Sequence, residues 1–450
     1  MTPAAAPARL DETHDPALRS WVAGAHAPGT DFPLQNLPFG VFRHDFEERP
    51  RVGIAIGDHV LDCLAASRAG CFGELGPVVR GALQSWSLNA LMALGREDAR
   101  AVRGVASRLL RAGTPEGKRA EMMRDALLVG REHLSMLVPA EVGDFTDFYA
   151  SVFHATNVGA MLRPETPLLP NWKFVPVGYH ARASSLVASG TAVRRPRGQT
   201  RPDPLAPPVF GPSQSLDYEV EIGAYVCGEN AIGDPVPLAR AEERLFGLAL
   251  LNDWSARDVQ SWEYQPLGPF LAKSFATTVG AWVVTLDALE PFRASAFARP
   301  AGDPEPLPYL SDPLDRARGA FDITLEAWIR TARMRDAGLP AARLSHGHFR
   351  EMYWTFGQLV AHQTSNGCNL RPGNLLGSGT VSGPAKDSLG CLLELARRGA
   401  EPVTLPSGET RSFLADGDEV IFRGWCERAG AARIGFGECR GEVRAAIQAP

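Results

Sequence analysis

No uninterrupted apolar run in this 450-residue chain approaches the roughly 20 residues of a membrane span. A surplus of positive charge is also missing: 46 Lys and Arg stand against 51 Asp and Glu, a net charge of −5. Neither a nucleic acid nor an anionic membrane surface is therefore an expected partner. Cysteine is scarce and unpatterned. Cys63, Cys71, Cys227, Cys368, Cys391, Cys426 and Cys439 make an odd count of 7 without a CxxC spacing. That speaks against a disulfide framework and a zinc site alike, and for a reducing cytoplasm. Phosphate-cradling loops have no support, since neither GxGxxG opening a helix nor GxxxxGKS/T occurs. Without a GxSxG elbow, an α/β-hydrolase is disfavoured.

What the chain has is an ordinary globular balance, 45% hydrophobic and 22% charged, in a length that suits two or three domains at roughly 100 to 200 residues each. The start is rich in Ala and Pro and then acidic, without the charged-then-apolar order of a secretory signal. Residues 1–30 read as a loose leader. From Phe32 to about Asp62 the pattern is strand-like, with a hairpin over residues 50–62 turning at Gly57-Asp58. Between Leu88 and Leu137 apolar residues recur every three or four positions, broken at Gly113-Thr-Pro, and two or three helices fit. Pro139 to Gly143 reads as a linker. Beyond it, short apolar strands predominate at 185–189, 216–226, 282–286, 321–329, 392–395 and 419–422. The basic, His-containing stretch 330–350 reads as solvated surface. The expected architecture is mainly β with α (α+β). A small β-barrel-like, SH3-like domain with helices spans residues 31–140, and a larger β-sandwich roll domain spans residues 144–450.

Three segments could carry chemistry. Over residues 216–223 the two-residue strand period puts Glu219 and Glu221 on one face and Val220 and Ile222 on the other. Alone, such a pair is more often a solvated face than a site. Over residues 252–264, Asp253, Arg257, Gln260 and Tyr264 fall at i, i+4, i+7 and i+11, one polar stripe of a helix that Asp253 could begin as a cap. Over residues 143–159, Asp147 and His154 stand seven apart, on one side if the segment is helical. An imidazole is the readiest general base near neutral pH, but it needs an orienting acid. Glu394, within a run that reads as an apolar strand, is the candidate, with a simple salt bridge as its plainer role.

These segments sit among others that together resemble the fumarylacetoacetate hydrolase family. They include Asp147-Phe-Tyr, His154-Ala-Thr-Asn-Val-Gly159, Pro176-Val-Gly-Tyr-His180, Asp217-Tyr-Glu-Val-Glu221 and Asn252-Asp-Trp-Ser-Ala-Arg-Asp258. Pro266-Leu-Gly-Pro-Phe270, Lys273-Ser-Phe, Gly367-Cys-Asn-Leu-Arg-Pro-Gly373 and Gly379-Thr follow in the same order. Pro33-Leu-Gln-Asn-Leu-Pro-Phe-Gly-Val41 resembles the N-terminal domain found in the longer members. The resemblance implies a hydrolase that splits the carbon–carbon bond of 4-fumarylacetoacetate into fumarate and acetoacetate, the last step of tyrosine and phenylalanine breakdown. It implies a homodimer and a small dicarboxylate diketone substrate.

Residue by residue, the resemblance makes Asp147, Glu219, Glu221 and Asp253 ligands of a divalent metal, Mg²⁺ and/or Ca²⁺, in keeping with the oxygen donors those hard cations prefer. Lys273 and Thr277 match a supporting cation site and oxyanion contact. Tyr149, Arg163, Tyr179, Gln260, Tyr264 and Thr380 match substrate contacts. His154 oriented by Glu394 would activate water, with Arg257, Gln260 and Lys273 as an oxyanion hole. Two rivals stand beside this reading. One is another enzyme of the superfamily, a 3-acylpyruvate hydrolase or a β-keto acid decarboxylase; the other is a non-catalytic protein with a structural metal site.

Overall fold

The computed structural model describes residues 10–44 and 49–448. The chain is β-rich with short helices, and two sheets dominate it. Near the N-terminus, five strands order as Leu128–Gly130, His59–Asp62, Arg51–Ile56, Phe39–His44 and Leu134–Met136. The expected hairpin is present, with Ile56 opposite His59 across a turn that places Gly57 at φ 57°, a left-handed value glycine adopts without a Cβ clash. Asp62 ends the hairpin and caps the next helix, accepting hydrogen bonds from the Leu64 and Ala65 amides at 2.9 and 3.0 Å.

Helices Asn89–Leu94, Arg96–Leu110 and Pro115–Met122 occupy the periodic stretch. The helical expectation fails at its end, because Leu128–Gly130 and Leu134–Met136 are strands that complete the sheet. Residues 10–30, expected as a loose leader, are packed; residues 1–9 lie outside the described part. Asp11 and His14 form a capping box around Glu12–His14. Buried Arg103 bonds the Thr13 hydroxyl and the Gln35 carbonyl. His14 Nε2 lies 2.7 Å from the Asp287 carbonyl. Polar anchors of this kind leave no apolar periodicity, so the pattern did not reveal them.

The larger sheet orders Gly178–Ala181, Phe145–Phe148, Leu375–Gly377, Val220–Val226, Leu245–Asp253, Thr277–Val279 and Leu186–Ala188, with Val284–Thr285 also paired to Leu245–Asp253. One face packs on a second five-stranded sheet built from Ala342–His348, Thr324–Arg330, Glu419–Cys426, Ile434–Arg444 and Val193–Arg194. Ile222, Ala224, Leu248 and Leu250 meet Leu325, Ala327, Phe422 and Phe436 in one core. The other face, with Phe145, Tyr225, Leu251 and Leu375, shares a core with the N-terminal sheet and helices. Strand alternation carries this second face onward from Phe145 to Asp147, from Tyr225 back to Glu221, from Leu251 to Asp253 and from Leu375 to Gly377. Residues 330–350, read as surface, instead supply a sheet strand and the buried Thr331 and Met334.

Candidate active site

Three expectations about local structure give way here, each for a pairing reason. Asp147 lies on a strand, not a helix, because Phe145–Phe148 pairs with neighbours on both sides; the helix Val152–Leu162 starts only after Ser151, whose hydroxyl accepts from the His154 amide at 3.2 Å. Asp253 ends the strand Leu245–Asp253, paired at that end to Thr277, and caps nothing. The polar stripe is therefore split, with Arg257 and Gln260 on the helix Arg257–Glu263 and Tyr264 at its end. Glu394 sits on a four-residue helix, Leu392–Leu395, instead of a strand.

The side chains nonetheless converge. His154 Nδ1 lies 2.6 Å from Glu394 Oε2, and both are buried. Glu394 also accepts from Asn157 Nδ2 at 2.8 Å and Ser382 Oγ at 2.7 Å, and from the Cys391 thiol at 3.3 Å. Burial alone would raise this carboxyl; the His154 charge and the hydrogen bonds from His154, Asn157 and Ser382 bring it below its ordinary value. Tyr149 meets the His154 ring edge to face at 5.3 Å, and burial raises its phenol.

Oxygens of Asp147, Glu221 and Asp253 lie within 4.8 Å of one another, and all three side chains are buried. Asp147 Oδ1 accepts from the Gly379 amide at 3.2 Å. Asp253 accepts from Tyr179 Oη at 2.8 Å, Lys273 Nζ at 2.6 Å and Thr277 Oγ1 at 3.1 Å. Both oxygens of Glu221 lack a hydrogen-bond partner. Gly377 separates Asp147 from Glu221, and a Cβ there would stand 2.3 Å from Asp147 Oδ1 and 3.1 Å from Glu221 Oε2. Burial first, then the neighbouring acids, pushes Asp147 and Glu221 well above the usual carboxylate range.

Glu219 is placed differently. Its Oε1 is met by Arg257 Nη1 at 2.6 Å, Lys273 Nζ at 2.9 Å and Ser255 Oγ at 2.9 Å. Burial opposes ionisation here too, but Lys273 and Arg257 outweigh it and hold the carboxyl well below its ordinary value. Five buried carboxylates, Asp147, Asp217, Glu219, Glu221 and Asp253, thus face two buried cations, Arg257 and Lys273. The excess of negative charge, the orphaned Glu221 oxygens and the all-oxygen donor set fit a hard divalent cation.

A cavity of about 970 Å³ opens beside this cluster. Its wall includes Asp147, Tyr149, His154, Arg163, Tyr179, Glu219, Arg257, Gln260, Tyr264 and Lys273. Thr380 is buried with its hydroxyl unpartnered, and Arg257 Nη2 is also without a partner. Sequence reasoning gave no role to Asn157, Ser382 and Cys391 around Glu394, or to Arg201 and Arg398 in the cavity wall. Asn157 and Asp217 lay inside quoted motifs, so their types were visible; Ser382 and Arg398 carried no signal. An imidazole oriented by a buried acid, in a cavity whose wall includes Arg257 and Lys273, can take a proton from water while negative charge develops nearby.

The class this equipment suits, a water-activating enzyme, agrees with the comparisons. A family model described as fumarylacetoacetate (FAA) hydrolase C-terminal matches residues 145–444, and one described as fumarylacetoacetase N-terminal matches residues 35–139. The chain belongs to the fumarylacetoacetate hydrolase family and is a hydrolase enzyme. It is 46% identical over 425 residues to the fumarylacetoacetase of Bos taurus, covering 94% of this chain and 98% of that one. It is 47% identical over 421 residues to that of Caenorhabditis elegans, covering 92% and 96%. Among solved structures, a fumarylacetoacetate hydrolase from Exiguobacterium antarcticum aligns over 90% of this chain and 99% of that one, with a TM-score of 0.48 at 18% identity. No helix among the described residues is long and apolar enough to cross a membrane.

Proposed function

We propose that the chain hydrolyses the carbon–carbon bond of 4-fumarylacetoacetate, releasing fumarate and acetoacetate as the last step of tyrosine and phenylalanine breakdown. The observation that carries this is the His154–Glu394 pair at 2.6 Å, opening into the same cavity as Asp147 of the acid cluster. Glu394 holds the proton on His154 Nδ1, leaving Nε2 to take a proton from water as its oxygen attacks the ketone carbon beside the fumaryl group. Arg257, Gln260 and Lys273 accept the charge that develops on the carbonyl oxygen. Removal of one such donor typically costs about 10²- to 10³-fold in rate. Collapse breaks the bond to the acetoacetate carbon, which must then regain the proton that His154 removed. Asp147, Glu219, Glu221 and Asp253 would hold a divalent cation, Mg²⁺ and/or Ca²⁺, which when bound would supply Lewis-acid charge for an enolate leaving group. Lys273 and Thr277 brace Asp253 for that duty.

Tyr149, Arg163, Tyr179, Gln260, Tyr264 and Thr380 bind the substrate in this reading, their aromatic, basic and hydroxyl groups suiting a dicarboxylate diketone. The finer architecture follows the same reading: a β-barrel-like unit with helices over residues 31–140 and a β-sandwich roll over residues 144–450, in a cytoplasmic homodimer. The test is an assay of the purified protein on fumarylacetoacetate, with and without chelator, followed by Mg²⁺ or Ca²⁺. Acetoacetate release that falls with chelator and returns with the cation is the expected result. No release under any of these conditions would refute the reading.

A further inference from the structure

The proposed chemistry gives no role to Asp217, yet this side chain is fully buried and both its oxygens are doubly engaged. Oδ1 accepts from the Tyr218 amide at 2.9 Å and the Leu392 amide at 2.8 Å. Oδ2 accepts from the Leu393 amide at 3.0 Å and Arg257 Nε at 2.9 Å. Leu392 and Leu393 open the helix Leu392–Leu395, whose preceding residue, Cys391, makes no side-chain cap. Asp217 supplies that missing cap from a distant part of the chain, satisfying two amides that the helix itself cannot. Glu394 is the third residue of this helix.

We propose that Asp217 is a positioning residue that ties the general-base pair to the oxyanion donor through one carboxylate. One oxygen, with its neighbour, fixes the start of the helix that carries Glu394, and through the 2.6 Å bond fixes the His154 ring. The other oxygen takes Arg257 Nε, so that the guanidinium of this cavity-lining residue turns Nη1 toward Glu219 at 2.6 Å and Gln260 at 3.2 Å and leaves Nη2 buried without a partner. Placement of the proton acceptor and of the charge acceptor is thereby coupled, although they come from segments more than a hundred residues apart. The short pairing of Leu216–Asp217 with Ser255–Ala256 holds the carboxylate beside Arg257 from the other side.

This inference rests on the reading of the site as a carbonyl hydrolase, and the experiment separates the two. Asp217→Asn keeps size but puts an amide against two donors, Arg257 Nε and the Leu393 amide. Turnover on fumarylacetoacetate should fall about 10- to 100-fold, as for other groups that orient catalytic side chains, with KM changed less than about threefold. Combined with Glu394→Gln or Arg257→Met, the loss should be much smaller than the product of the single losses, since the three act as one unit. A purely structural residue would lower Tm while turnover per folded site stayed within twofold, or would combine multiplicatively with both partners; either result overturns the inference. Asp217→Glu, which retains the charge, repeats the test if the Asn variant does not fold, and failure of both to fold also overturns it. Absence of turnover by the unmutated protein sinks the reading of the reaction instead.

Discussion

Two glutamates, Glu394 and Glu221, are both buried at 2% exposure or less, yet their surroundings are opposite. Glu394 has four protein partners, and its acidity is strengthened despite burial. Glu221 has no hydrogen-bond partner on either oxygen, and burial with Asp147 and Asp253 nearby drives it the other way. An unpaired buried carboxylate costs several kcal/mol, more than most single contacts in a fold contribute. The contrast separates a site the protein completes by itself from one that needs charge from outside.

The comparison breaks first at His154. His154→Ala should lower turnover about 10²- to 10⁴-fold, the usual worth of a positioned base, while divalent-cation affinity measured by calorimetry stays near normal. Near-normal turnover would remove His154 as the base. Glu394→Gln keeps the shape and loses the charge, so kcat should fall about 10²-fold with little change in KM, read from initial rates. An equal rise in KM would mean that the acid serves substrate binding instead of ring orientation. Glu221→Gln should do the reverse on the other side: it weakens cation binding by about tenfold or more, yet raises the Tm of chelated protein by removing an acid whose ionisation burial, Asp147 and Asp253 all oppose. If chelator shifts Tm equally in the variant and the parent, the acid cluster is not the cation site.

Legibility in the sequence followed the same division. The acid residues were visible because strand alternation and residue type suffice to flag Glu219 and Glu221, but Glu219 turned out to be tied to Arg257 and Lys273 while Asp147 joined Glu221 and Asp253. Spacing cannot tell these apart, since the outcome depends on which strands neighbour one another and on Gly377 leaving space between them. The helical period assumed for Asp147 with His154, and for Asp253 with Arg257, misplaced both acids, because pairing with strands far away in sequence extends each strand beyond its local preference. Glu394 was picked out for being an acid in an apolar run. Its helix was not foreseeable, because the cap comes from Asp217, 175 residues earlier. The β-rich character came through from turn spacing, whereas the packing of residues 10–30 rested on single polar anchors such as Arg103 and His14.

A half-buried acid outside the cavity wall, Asp315, provides the smallest test of what burial does to a carboxylate. Asp315 accepts one hydrogen bond from Thr355 Oγ1 at 2.8 Å, where Thr355 also caps the helix Phe356–Thr364. Burial, with Glu242 and Asp312 adding to it, lifts its carboxyl to about 7 against the pull of the Thr355 bond and Arg293. Because the folded state holds this proton more tightly than the unfolded chain, the stabilisation is complete below about pH 4 and is lost as pH rises through about 7. Partial exposure to solvent trims the full effect to on the order of 2 kcal/mol. Asp315→Asn cannot ionise and should flatten this slope, so that its denaturant midpoint exceeds that of the parent at pH 8 and matches it near pH 4, with turnover unchanged at pH 8. A difference that does not depend on pH would mean that Asp315 is ionised throughout. Burial opposed by one hydrogen bond would then be too weak in this protein to raise a carboxyl, and the case for a missing positive charge at Glu221 would rest on its unpartnered oxygens alone.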